Sequence, residues 1–373
     1  MNRLRMGLLA LGLAAPGCFQ DLTHPDATSG LRTDAAAEGG DGVVNVTSPA
    51  AVDNIDYRDE LTKHAGCTTD GLNYPAANIL GYTCAAKSYD FPAGVTENTA
   101  KPIVLLIHGN SDAPDSWERF PAGTGKPMVA ESLVAAGYRT FAVDLRIAKV
   151  DDPQGNNDTE NAARNIDHGW SVPIAQHLIE SVLGAYPGRK IALIGFSLGV
   201  TIIRDALRRA TFAGRVNPWA RVADVILLAG ANHGVSTFAK LCGKNPTMRG
   251  RVACELGPRD NYSPTDFLKL LNGSSGAWET PCADGQNAFG VTGLCGGNTV
   301  RWTTIVMKDI ADGSYQDEFV SQASSKLAGA DNRNINLGDV DESGYFFNGL
   351  LKNHYGAARS QAALTIMLEK LGQ

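Results

Sequence analysis

Gly195-Phe-Ser-Leu-Gly199 lies between an apolar run, Ile191-Ala-Leu-Ile194, and a helix-like run, Val200-Thr-Ile-Ile-Arg-Asp-Ala-Leu207. A strand, a tight turn holding one serine, and then a helix is the context in which the pattern G-x-S-x-G carries chemical meaning. Such a turn is sharp and strained, so the residues flanking the serine must be small, as Gly195 and Gly199 are. The turn pushes the Ser197 hydroxyl out above the sheet. It leaves the backbone N–H of Leu198 to hold a developing oxyanion. With 41 glycines in 373 residues the pentapeptide alone could arise by chance. The strand before it and the helix after it give it weight.

Outward from this turn, apolar runs alternate with helical patterns. Strands are expected over Lys87–Phe91, Ile103–Ile107, Thr140–Val143, Ile191–Ile194, Val225–Leu228, Trp302–Met307 and Asn334–Leu337. Helices are expected over Pro127–Ala136, Val172–Tyr186, Val200–Ala210 and Tyr355–Leu371. Several strand runs are continuously apolar rather than alternating, which suits parallel strands covered on both faces. The expected fold is therefore α/β, with a mostly parallel central sheet and helices on both faces. Two long stretches break the rhythm, Leu145–Trp170 and the Gly-rich insert Ala231–Val300. Each follows the C-terminal end of a strand, where open α/β sheets bind ligands.

The chain is 43% hydrophobic and 19% charged, enough for one large domain of about 280–310 residues. Its net charge is −6, and no basic stripe is interleaved with aromatics, so nucleic acid is not an expected partner. Met1 to Arg5 is basic and Met6 to Ala15 apolar, the form of an export signal and too short for a permanent membrane span. Ala15-Pro-Gly-Cys18 resembles the lipobox of bacterial lipoproteins, which implies lipidation of Cys18 and a lipid anchor in the bacterial cell envelope; Pro16 departs from that motif, and ordinary cleavage nearby with secretion is the alternative. Residues 19–56 are rich in Ala, Gly, Asp and Thr and are expected to be a flexible tether, leaving 57–373 as the folded domain.

Six further cysteines fit an exported protein. Their order suggests three local disulfides, Cys67–Cys84, Cys242–Cys254 and Cys282–Cys295, each worth about 3 kcal/mol. Two of these would staple the insert. No CxxC or HxxxH spacing supports a metal site instead, and no cofactor motif is present.

A serine hydroxyl needs a base, and the base needs a third group to orient it. After Ser197 only His233 and His354 remain. The base is expected after the last strand and before the last helix, where Lys352-Asn-His-Tyr-Gly356 places His354 on a loop. His233 is expected instead to line a pocket. The acid should follow the strand Trp302–Met307, and loop position alone leaves Asp309, Asp312 and Asp317 open. A second oxyanion donor should come from the turn after Ile103–Ile107, where His108-Gly109 lets the backbone approach closely. Asn110 is the expected donor through its N–H, with His108 supporting the turn.

Taken together these residues resemble the bacterial secreted lipases of the α/β-hydrolase superfamily, the class 2 group typified by the Bacillus subtilis lipase. The resemblance runs from Pro102 to Leu371, interrupted by the insert. Pro102-Ile-Val-Leu-Leu-Ile-His-Gly-Asn110 looks like that group's first strand and oxyanion turn, and Val222-Ala-Asp-Val-Ile-Leu-Leu-Ala-Gly-Ala-Asn232 like the strand after the nucleophile helix. In the family the catalytic Asp opens a segment reaching a Gly-Ala pair twelve residues later. Asp317-Glu-Phe-Val320 leads to Gly329-Ala330 at that spacing, and Asp309 and Asp312 do not fit it. His354-Tyr-Gly-Ala-Ala-Arg-Ser-Gln361 matches the stretch beginning at the family's histidine. The resemblance thus implies a Ser197–Asp317–His354 triad, with Asp312 the runner-up acid. The chain departs from the group at Phe196, where these lipases usually have His, and in its long insert.

The expected activity is that of a monomeric, exported serine esterase or lipase without cofactors. An extracellular polyester depolymerase of the polyhydroxyalkanoate type would use the same triad, with an exposed groove instead of a deep pocket. A non-catalytic binding protein on a hydrolase scaffold would not need the nucleophile, acid and base together.

Overall fold

The computed structural model describes residues 68–69, 72–73, 86–109, 114–118, 129–143, 145, 168–210, 216–235, 255–257, 264–273, 275–308, 317, 319–336 and 352–373. The expected disulfides Cys67–Cys84 and Cys242–Cys254, and Cys18, lie outside them.

The apolar runs assemble into one seven-stranded sheet. Its strands are β1 (Ala86–Ser88), β2 (Ile103–Ile107), β3 (Thr140–Val143), β4 (Ile191–Phe196), β5 (Val222–Leu228), β6 (Arg301–Met307) and β7 (Asp331–Ile335). Their spatial order is β7-β6-β5-β4-β2-β3-β1. All neighbours are parallel except β1, which pairs antiparallel with β3 at one edge. Every residue of β2, β4 and β5 is buried, as continuous apolar runs require when both faces are covered. Alternate residues serve two cores. Ile103, Leu105 and Ile107 join one, and Val104 and Leu106 join the other. Helices α2 (His168–Ala185) and α3 (Leu198–Arg209) pack in the first core. Helices α1 (Val129–Ala135), α5 (Lys352–Arg359) and α6 (Gln361–Leu371) pack in the second.

Three expectations are corrected here. β5 begins at Val222, not Val225, because the carboxylate of Asp224 is buried in the sheet against Arg301, whose Nε and Nη2 reach its two oxygens at 2.7 and 2.8 Å. β7 spans Asp331–Ile335 rather than Asn334–Leu337. It is an edge strand with a polar face, on which Arg333 pairs with Asp331 and Glu369, so apolar runs do not reveal it. The expected last helix is two helices, broken at Ser360, whose hydroxyl accepts the Ala363 N–H at 3.1 Å as an N-cap.

The described second half of the insert packs into the core. Helix α4 (Asp266–Asn272) is capped by Thr265, whose hydroxyl accepts the Leu268 N–H at 3.2 Å. Beyond it a short hairpin pairs Asn287–Ala288 with Val291–Thr292, and the Cys282–Cys295 disulfide closes its base. Both cysteines are buried, and Phe289 packs between Trp219 and Trp278. Replacing both cysteines by alanine is expected to cost about 3 kcal/mol, because the bridge removes loop entropy from the unfolded chain. The measurement is a urea midpoint. A midpoint equal to the wild type's would mean that packing alone holds the hairpin.

Candidate active site

Strand β4 stays paired with β5 as far as Phe196, opposite Leu228, and helix α3 starts at Leu198. Ser197 is the single residue between them. Its backbone adopts φ 54° and ψ −121°, a strained positive-φ conformation that costs a non-glycine residue ~1–3 kcal/mol. Two hydrogen bonds hold it there, from the Ser197 N–H to Leu228 O at 2.9 Å and from the Val200 N–H to Ser197 O at 3.1 Å. The flanking glycines are required by contact. A Cβ on Gly195 would lie 2.7 Å from Ile203 Cδ1 and 2.8 Å from Gly199 O. One on Gly199 would run into the carbonyl oxygens of Ile107 and His108, and one on Gly109 would lie 2.9 Å from Ser197 Cβ. Helix α3 thus starts against the end of β2, which brings the turn after β2 beside the serine.

Three of the site residues expected from the sequence come together here. His354 Nε2 lies 2.9 Å from Ser197 Oγ, and its Nδ1 lies 3.0 and 2.9 Å from the two carboxylate oxygens of Asp317. A carboxylate accepts, so the proton of a neutral imidazole sits on Nδ1 and the Nε2 lone pair faces the serine hydroxyl. Asp317 and His354 are both buried. The N–H groups of Phe319 and Val320 donate to Asp317 Oδ1 at 2.7 and 2.9 Å and fix the carboxylate's orientation. His354 stands in the first turn of α5, not on a loop, because the helix starts at Lys352. Phe196 and Phe319 flank its ring, with centroids 4.9 and 5.2 Å away, the second edge-on. Sequence reasoning noted Phe196 only as a departure and passed over Phe319, whose one signal was its closeness to Asp317.

The Leu198 N–H is the first of helix α3, among the groups that have no acceptor within a helix and can bind an anion. Asn110 and Asp312 lie outside the described residues. His108 is fully buried, and its Nε2 accepts the Leu145 N–H at 3.1 Å while Nδ1 meets Gly109 O at 2.9 Å. Its ring ties the turn after β2 to the segment after β3. His233 is also engaged away from the serine, with Nδ1 3.1 Å from Ser324 O and Nε2 3.2 Å from Glu279 Oε1.

A family model described as "Alpha/beta hydrolase family" matches residues 104–325, more than half of the chain. The chain belongs to the alpha/beta hydrolase family. No curated protein matches its sequence. Among solved structures, the mature lipase BlEst2 of Bacillus licheniformis is 17% identical, with a TM-score of 0.47 over 77% of this chain and 97% of that one. Aspergillus fumigatus lipase B is 18% identical, with a TM-score of 0.47 over 81% of this chain and 59% of the other. Phospholipase PlaB from Legionella pneumophila is 19% identical, with a TM-score of 0.34 over 60% and 45%.

In this alpha/beta hydrolase a buried polar hub lies behind the serine. Arg204, about two turns along α3 from Ser197, is almost wholly buried. Its guanidinium donates to Asn232 Oδ1 at 3.3 Å, Leu271 O at 3.1 Å and Asn272 Oδ1 at 2.8 Å, with Glu279 O at 3.5 Å. Burial lowers its pKa to about 10, partly offset by the charge of Glu279. Asn232 Nδ2 in turn donates to Ser325 O at 2.7 Å, and Asn272 Nδ2 to Asn232 O at 2.9 Å. Burial pushes the Glu279 carboxyl up. Hydrogen bonds from His233 and the Ala328 N–H, with the charges of His233 and Arg204, outweigh it and hold the group below the usual range. Arg204 beside Asp205, in the mostly apolar stretch Val200–Leu207, was the one sequence sign of this hub. Among the described residues no group of His, Cys, Asp or Glu is arranged to hold a metal ion, and no helix is long and apolar enough to cross a membrane.

Proposed function

We propose that this alpha/beta hydrolase is a serine esterase or lipase that cleaves carboxylic ester bonds through an acyl-enzyme. The observation carrying the reading is the unbroken hydrogen-bonded series Asp317–His354–Ser197, with the serine on a strained turn at a helix N-terminus. Ser197 Oγ attacks the ester carbonyl carbon and gives its proton to His354 Nε2. Asp317 holds the imidazole with Nδ1–H toward the carboxylate and stabilises the imidazolium. The Leu198 N–H and, as a second donor, that of Asn110 receive the oxyanion of the tetrahedral intermediate. Collapse breaks the bond to the leaving oxygen, which departs as an alcohol with the proton from His354. Water then attacks the acyl-enzyme with His354 as base, and Ser197 is regenerated.

The likeness of the Asp317–Ala330 and His354–Gln361 segments to the class 2 lipases favours lipid esters over peptides. A fluorophosphonate probe is expected to label Ser197, and p-nitrophenyl esters from butyrate to palmitate to be hydrolysed. A chain that is neither labelled nor active on any ester is a scaffold, and the reading is then wrong. Clearing of a polyhydroxyalkanoate suspension without hydrolysis of lipid esters would instead favour a depolymerase.

Export and anchoring through Cys18 complete the proposal, on the strength of the basic and apolar N-terminal segment and Ala15-Pro-Gly-Cys18. Cys18→Ser is expected to move the protein from the membrane fraction to the soluble one. An unchanged distribution overturns the anchor.

A further inference from the structure

We infer that Glu279, which belongs to the insert, is a positioning residue for Asp317, an inference that rests on the serine-hydrolase reading above. Asp317 takes its orientation from the N–H groups of Phe319 and Val320. Those groups are only as well placed as the segment that follows them, and that segment is held from outside. Ser321 caps the one-turn helix Gln322–Ser325 by accepting the Ser324 N–H at 3.1 Å. The Ser324 carbonyl accepts both the His233 N–H at 3.0 Å and the His233 ring at Nδ1. The Ser324 hydroxyl donates to Gly234 O at 2.5 Å, and Ser325 O accepts from Asn232.

Glu279 closes this arrangement from the insert side. Its Oε2 accepts the Ala328 N–H at 2.5 Å and its Oε1 faces His233 Nε2 at 3.2 Å. One carboxylate thus grips the far end of the acid segment and the histidine that grips its middle. The same residue is referenced to the nucleophile, because its carbonyl and that of Leu271 in α4 lie against Arg204, on the helix that starts just after Ser197. The insert therefore acts as a strut between the serine's helix and the acid's loop. A wall for substrate alone would not require a carboxylate bound to Ala328 and His233.

Small displacements of a catalytic group are costly, and a misplacement of about 1 Å can lower a rate about 10²-fold. The test compares Glu279→Ala and Glu279→Gln in the full chain on p-nitrophenyl butyrate, well below the Tm of each variant. Glu279→Ala is expected to lower kcat about tenfold or more, with KM within about twofold of the wild type. Glu279→Gln is expected to recover most of kcat. Its amide oxygen still accepts the Ala328 N–H, and its NH2 can donate to the unprotonated Nε2 of a neutral His233. Unchanged kcat in Glu279→Ala overturns the inference, as does a change confined to KM. So does a Glu279→Gln variant as impaired as Glu279→Ala with the same loss of Tm. Ser197→Ala in the same assay separates the two readings. Activity that survives it removes the serine mechanism itself. Activity that depends on Ser197 but ignores Glu279 removes only the positioning role.

Discussion

Ser197→Ala is expected to lower kcat for ester hydrolysis on the order of 10⁴–10⁶-fold with little change in stability. The alanine keeps the backbone at the turn and removes only the hydroxyl that His354 Nε2 faces at 2.9 Å. The large factor follows from the covalent route. Without the nucleophile, the remaining catalysis comes from the oxyanion site and binding alone. His354→Ala should cost nearly as much, because a serine hydroxyl without a base is a poor nucleophile. The double variant should be no worse than either single one, since the residues act as a unit. Asp317→Asn should cost about 10⁴-fold. The amide can present its NH2 to His354 Nδ1, which would then favour the proton on Nε2, the wrong nitrogen for a base. The measurements are kcat and KM on p-nitrophenyl butyrate, with labelling by a fluorophosphonate. Loss of less than about tenfold in Ser197→Ala, or additive losses in the double variant, would assign the chemistry to another group.

Gly199→Ala is the second large effect, and it acts through backbone sterics. The added Cβ would meet two main-chain carbonyls, those of Ile107 and His108, which end β2 and open the turn beside the serine. Backbone in the centre of a fully buried parallel sheet cannot swing away as a side-chain end can. Gly195→Ala is the milder comparison, because one of its close contacts is Ile203 Cδ1, the flexible tip of a side chain. Gly199→Ala is expected to cost about 3 kcal/mol, a fall in Tm of roughly 5–10 °C. Ser197 labelling should slow more than stability alone explains, because helix α3 must shift and carry Leu198 with it. The checks are calorimetric Tm and probe-labelling rate. A variant with wild-type values for both would mean that α3 does not start tightly against β2.

Much of the sheet is legible in the chain because its central strands must be apolar on both faces. The runs Ile103–Ile107 and Thr140–Val143 could hardly be anything else, and the Gly195–Gly199 turn marks where β4 ends. Legibility fails where polarity is compensated by a distant partner. Asp224 hides the start of β5 because Arg301 neutralises it across the sheet, 77 positions away. The edge strand β7 hides because one neighbour and an exposed face leave it free to be polar. The break at Ser360 carried a local sign, a serine able to cap, but a continuous helical pattern on both sides concealed it.

The site divides along the same line. The sequence by itself determined the order of the parts: a serine between two obligatory glycines, an acidic segment after the sixth strand, a histidine near the end. Those are consequences of local rules, since a turn that tight excludes a side chain at positions 195 and 199 whatever surrounds it. Only the tertiary structure decided that Asp317 and His354 meet at 2.9 Å, that Phe196 and Phe319 flank the imidazole, and that Glu279 and Arg204 brace the acid's segment against the serine's helix. Hydrogen bonds and ring contacts between residues many tens of positions apart depend on where the folded sheet brings them. No local pattern records that.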